Sequence, residues 1–219
     1  DNCLGFFFFF FTNSIPSSVS MSGANTIRNN GLNPIPFMGG FPASVGLWVN
    51  SLGDVSLEGV SATGNGAGNI GGGAFIFTEG GSLTIKNSFF DNNCSYGYCD
   101  FGFGLTAMNV SGADSTLDGV SANSNGNGDS GSGTPNSFSA AGVLLMSAGN
   151  VFVRNSNFNS NCTAGTSCAG GGIMVMTSGD VYFNVVNANG NGVGTSGSSG
   201  MGATITAGNN VDIYCSNFN

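Results

Sequence analysis

The side chains best able to do chemistry in this chain are six cysteines, eleven carboxylates and three cations, with no histidine at all. The cysteines stand at 3, 94, 99, 162, 168 and 215. In a lysine-poor chain rich in Gly, Asn and Ser they read as disulfides of an oxidising, extracellular compartment. Cys94 with Cys99, and Cys162 with Cys168, are close enough in sequence to staple their own loops. Cys3 and Cys215 are left near opposite ends. They could meet within one molecule only if the N-terminal segment ran the length of the fold, so a head-to-tail bond between subunits suits them better.

The carboxylates offer little for catalysis. Asp54 and Asp180 hold the same turn position in different repeats, too far apart to act as an acid–base pair, and turn aspartates usually bond locally. Asp91 and Asp100 flank a cysteine loop and come nearest to a calcium site. Calcium takes about 6–8 oxygen ligands, so no metal or cofactor is expected. Without histidine there is no Ser-His-Asp or Cys-His arrangement and no common general base. No enzymatic activity is expected. Acceptor patterns for N-glycosylation begin at Asn93, Asn109 and Asn161; such matches arise easily in so Asn- and Ser-rich a chain, and of the three Asn109 suits a glycan best.

What must position these groups is a repeat. First strands begin at Gly46, Gly73, Gly104, Gly142, Gly172 and Gly202, about thirty residues apart. A polar turn follows each, and second strands begin at Val55, Leu83, Ser115, Val151, Val181 and Val211. Two residues into these come Leu57, Ile85, Leu117, Val153, Phe183 and Ile213, the alternation of a strand with one face inward. Seven residues in, Ala62, Phe90, Ala122, Phe158, Ala188 and Phe218 alternate small and large, so the packing unit is read as a pair of rungs. Ten residues in, Asn65, Asn93, Asn125, Asn161 and Asn191 form an unbroken column, expected to bond from rung to rung through their amides. Three residues in, Glu58, Lys86, Asp118 and Arg154 alternate in sign about 4.8 Å apart along the stack. They predict a surface ion-pair ladder worth under ~1 kcal/mol per pair.

Columns held in register across loops of unequal length over residues 43–219 resemble the right-handed parallel β-helix superfamily. Its members include pectate lyases, polysaccharide-degrading enzymes, surface adhesins and polymorphic outer-membrane repeats. The resemblance implies an all-β solenoid of about six rungs, with residues 1–42 as an irregular N-terminal capping or interface segment. Pectate lyases of that superfamily use calcium-holding carboxylates with an Arg or Lys base, and its hydrolases use clustered aspartates. Here Lys86 and Arg154 belong to the charged column, Arg28 lies outside the regular rungs, and the acids are scattered through turns. That departure removes the superfamily's enzymatic reading.

Composition agrees. Charged residues are 6% of the 219, against about 25% in an ordinary soluble domain. The 40% hydrophobic content is still enough for a core. With a formal charge of −8 and no cluster of Lys and Arg, neither nucleic acid nor an anionic membrane is an expected partner. The Phe6–Phe11 run falls well short of the ~20 apolar residues of a membrane helix. The chain reads as mature and secreted.

One feature suggests a function. The outward positions of the first strands carry Trp48, Phe75, Phe77, Met108, Leu144, Met146, Met174 and Met176, where a solitary coil would be polar. Residues 1–45, with Phe6–Phe11 and Met38–Phe41, are one candidate cover, and a second molecule is the other. The final motif, Ser216 to Asn219, repeats part of Asn155–Asn161 with no polar cap, which suggests an open rung or a longer solenoid. The expected function is an extracellular structural protein forming a filament, sheath or surface layer as a homo-oligomer or polymer. The alternative is an adhesive or carbohydrate-binding module using Trp48, Phe75 and Tyr96 as sugar platforms. An ice-binding face is not expected, because no Thr-x-Thr array recurs.

Overall fold

The computed structural model describes residues 17–28, 44–66, 71–94, 103–126, 141–163, 171–192 and 201–219. Each repeat becomes one turn of a coil. β1 (Val19–Met21) and β2 (Asn25–Arg28) come first, followed by β3 (Ser44–Ser51), β4 (Val55–Glu58) and β5 (Val60–Thr63). The next turns hold β6 (Gly71–Thr78) with β7 (Leu83–Lys86), then β8 (Phe103–Asn109) with β9 (Ser115–Asp118). The last three hold β10 (Ala141–Ser147) with β11 (Val151–Asn157), β12 (Gly171–Thr177) with β13 (Val181–Asn187), and β14 (Met201–Ala207) with β15 (Val211–Tyr214). The described residues contain no helix, so none is long and apolar enough to cross a membrane.

Every strand pairing is parallel, and strands of successive turns stack in register. The first strands form a six-stranded sheet from β3 to β14, and the second strands a seven-stranded sheet from β1 to β15. The chain is a parallel β-solenoid. Its two sheets differ in strand number because Val19–Met21 adds a strand ahead of β4. Residues 17–28 are therefore not irregular: Val19 pairs with Val55, and Arg28, on β2, pairs with Thr63. Alternating side chains at Val19 and Met21 continue the inward columns of β4, which is why this short segment adds to the stack.

A third, narrower face was not visible in the sequence. It comprises β2 and β5, continued by single bridges from Ser61 through Phe89 and Ser121 to Asn157. The chain turns onto it through a left-handed residue in every rung: Gly59, Asn87, Gly119, Asn155, Val185 and Cys215, with φ between 48° and 68°. Glycine and asparagine adopt that conformation readily, whereas a β-branched valine does not.

The core lies between the sheets. Val55, Leu57, Leu83, Ile85, Val151 and Val153 point inward and are buried, as are Leu47, Val49, Leu105 and Leu145 from the facing sheet. Burying each such side chain contributes about 1.5–3 kcal/mol relative to leaving it in water. Ala62, Phe90, Ala122, Phe158 and Ala188 are all fully buried, so methyl groups and rings alternate up the stack. Phe218 extends this column, half-buried, with its ring centroid 6.1 Å from that of Phe183.

Candidate functional site

The outer face of the six-stranded sheet is apolar along two columns. In one, Trp48, Phe75, Thr106, Leu144, Met174 and Thr204 are successive Cα partners. In the other, Asn50, Phe77, Met108, Met146, Met176 and Thr206 are. Neither column contains a charge, and the apolar side chains in both are only partly buried. The Trp48 and Phe75 rings lie 4.8 Å apart, tilted by 36°. Toward the turn, Met108, Met146 and Met176 line an open groove of about 320 Å³, with Val110, Ala148 and Thr206 at its edges.

The asparagine column lies on the inside of the coil, fully or almost fully buried. Asn65 donates its backbone N–H and its Nδ2 to Oδ1 of Asn93, at 2.9 and 3.2 Å. The same double donation joins Asn125 to Asn161, both bonds at 3.0 Å, and Asn161 to Asn191 at 2.9 and 3.0 Å. Asn93 differs: its N–H reaches Oδ1 of Asn125 at 2.9 Å, while its Nδ2 turns back to the Ala62 carbonyl. The repeating first-strand glycine makes room for this column. A Cβ on Gly73 would sit 2.5 Å from Asn93 Nδ2, and one on Gly104 equally close to Asn125 Nδ2. At the end of the column Asn191 Nδ2 is buried and meets no acceptor.

This burial corrects the glycosylation reading. Asn93 and Asn161 are inside the column, and Asn109 is also buried, its Nδ2 donating to the Ala113 carbonyl at 3.0 Å and to Ser115 Oγ at 3.2 Å. None of the three presents an accessible amide in the folded coil.

Two further polar columns escaped the sequence reading. At the turn, Asp54 Oδ1 accepts from the Ser82 N–H and Oγ, Asn150 Oδ1 from the Asp180 N–H, and Asp180 Oδ1 from the Asn210 N–H. These turn residues bond to the next rung, and Asp180 accepts a local bond from the Tyr182 hydroxyl as well, at 3.4 Å. The two Ser82 bonds, the backbone one foremost, hold the Asp54 carboxyl below the usual aspartate range. On the third face, Asp91 Oδ1 accepts from the Asn123 N–H at 2.7 Å, Asn123 Oδ1 from Asn159, and Asn159 Oδ1 from Asn189. Asp91 is thus engaged in a rung-to-rung bond, and Asp100, its expected partner in a calcium site, lies outside the described residues.

The charged column is in register, Glu58 to Lys86 to Asp118 to Arg154, yet no ion pair closes along it among the described residues. Asn155 Nδ2 donates to Asp118 at 2.9 Å, and Asn87 Nδ2 makes a longer contact of 3.4 Å to Glu58. Arg154 instead lies over the Phe152 ring, 5.4 Å from its centroid. The ion-pair ladder is corrected accordingly. Exposed long side chains gain little by pairing, while the corner asparagines are already positioned one residue away. Phe152 also stacks on Tyr182, centroids 5.0 Å apart and planes within 6°. The Asp180 carboxylate pushes the Tyr182 hydroxyl above its usual range.

Cys94 and Cys162 are buried two rungs apart, both in left-handed backbone, in a column otherwise held by Gly66, Gly126 and Gly192. Neither is a free thiol; among the described residues Cys215 is, and it is exposed. Their expected partners Cys99 and Cys168, together with Cys3 and Tyr96, lie outside the described residues. No family model matches the chain, and neither does a curated protein or a solved structure.

Proposed function

We propose that this is an extracellular structural protein whose solenoids associate with one another, building a filament, sheath or surface layer. The observation that carries the reading is the outer face of the six-stranded sheet. Trp48, Phe75, Phe77, Met108, Leu144, Met146, Met174 and Met176 lie there part-exposed and without a charge between them. Contiguous apolar surface of this kind marks an interaction site more often than a solvent face. A net charge of −8 opposes association in general, and this strip is a face where no charge has to be desolvated.

In the rung from Met201 to Asn219, Val211 and Ile213 are 44% and 46% exposed, whereas their column partners Val181 and Phe183 are fully buried. Loop disulfides between Cys94 and Cys99 and between Cys162 and Cys168 belong to the same proposal, with Cys215 available for a joint to Cys3.

The decisive test is sedimentation velocity and electron microscopy of the intact chain beside a Phe77→Glu, Met146→Lys variant. Ordered association in the first and monomers in the second, with unchanged far-ultraviolet dichroism, is the expected result. A wild-type protein that stays monomeric at every concentration refutes the reading. The close Trp48–Phe75 pair favours a second reading, a carbohydrate-binding module with these rings as its platform. Binding of a glycan array, lost on Trp48→Ala in a monomeric protein, would select it.

A further inference from the structure

The groove on the outer face has a chemical character that self-association does not require. Met146 is the Cα partner of both Met108 and Met176, so three thioethers come from three adjacent strands at one position. Adjacent strands are about 4.8 Å apart, and each methionine has three rotatable bonds beyond its Cα. The outer two sulfurs can therefore lean toward the middle one. All three side chains line the same groove, and all are part-exposed. Leucine is accepted on this face at Leu144, next to Met146 on β10, so packing alone does not demand methionine three times in succession.

We infer that this groove binds a soft monovalent cation, copper(I), through the sulfurs of Met108, Met146 and Met176. Thioethers are poor ligands for hard cations and for zinc, but they suit copper(I), whose filled d shell tolerates two or three neutral sulfur donors. The neutral ligand set leaves the ion its positive charge, which the net charge of −8 on the chain favours. The groove is also lined by Asn109, Ser147, Thr177, Ser178 and Thr206, whose hard oxygens are weaker ligands for copper(I) than thioether sulfur. The site uses residues of one molecule only, so it does not depend on the association proposed above.

Silver(I) is the redox-inert probe. The free thiol of Cys215 would capture it first, and so would Cys3 once its proposed partner is gone, so the titration uses the full chain carrying Cys3→Ser and Cys215→Ser, with methionine methyl groups labelled for NMR. Saturable binding that shifts the methyls of Met108, Met146 and Met176, while Met21 and Met201 stay in place, is expected. Met146→Leu, which conserves volume, should weaken binding at least tenfold, and Met201→Leu should leave it unchanged. Absence of binding, shifts spread over all methionines, or an unaffected Met146→Leu variant overturns the assignment. Sedimentation of the same samples keeps the two proposals separate: a monomer that still binds silver supports the site while refuting self-association.

Discussion

Asn161 accepts two bonds from Asn125 on a single oxygen: the backbone N–H and the side-chain Nδ2 of Asn125 both reach its Oδ1 at 3.0 Å, with both residues fully buried. One side chain therefore satisfies a main-chain group and an amide of the rung before it. Replacing Asn161 by alanine orphans both donors inside the coil. Each unsatisfied buried donor costs about 1–3 kcal/mol, so Asn161→Ala should lower the unfolding free energy by about 2–6 kcal/mol. Urea unfolding checks this; a change under about 0.5 kcal/mol, the size of an ordinary surface substitution, would show that water replaces the column.

The glycine beside that column gives an independent measure. A Cβ on Gly142 meets Asn161 Nδ2, the Ala122 carbonyl and the Gly172 carbonyl, each at 2.6 Å. Gly112, whose backbone is left-handed at φ +82°, has nothing within 4 Å of its added Cβ. Gly142→Ala should cost about 3 kcal/mol by overpacking, and Gly112→Ala about 1 kcal/mol from backbone conformation alone. Equal losses in thermal denaturation would mean that the column does not need its glycine.

Val185 is the one β-branched residue in the left-handed corner column, at φ 57° and 42% exposed. The same corner is glycine or asparagine in the four preceding rungs. Val185→Gly or Val185→Asn should raise stability by about 1 kcal/mol, the conformational cost of a left-handed L-residue. A lower melting temperature in both variants would mean that the valine side chain stabilises this surface by more than that cost.

Asp54 predicts a pH effect of known sign. Its folded carboxyl titrates below the unfolded value of about 3.9. Its contribution is therefore present at neutral pH and is lost as the pH falls through the lower, folded value. Carboxyl-carbon NMR should show Asp54 titrating below unfolded aspartate. Ser82→Ala should bring it only part of the way back, because the larger cause, the backbone N–H of residue 82, remains. Full restoration would assign the shift to the hydroxyl alone.

The rungs were legible because their inward residues repeat at a period of two and their glycines mark each restart. Leu57 through Ile213 could be aligned without any structure, and the Asn65–Asn191 column followed. The third face was not legible: Ser61, Phe89, Ser121 and Asn157 share no polarity, and Val185 and Cys215 disguise a corner that glycine and asparagine mark elsewhere. Asp91 reads as the flank of a cysteine loop and Asn123 carries no signal, because the bonds of their column run from side chain to the next backbone, which constrains geometry more than residue type. Alternating charge suggested pairing at Glu58 and Lys86, but sequence carries nothing about which neutral amide reaches a carboxylate first.

The polar columns point in opposite directions along the stack. Oδ1 of Asn93, Asn125, Asn161 and Asn191 faces the rung before it, whereas Oδ1 of Asp54, Asn150 and Asn159 faces the rung after. The inner column thus opposes the turn and third-face columns. Each added turn therefore polarises the stack along its axis less than three columns aligned one way would.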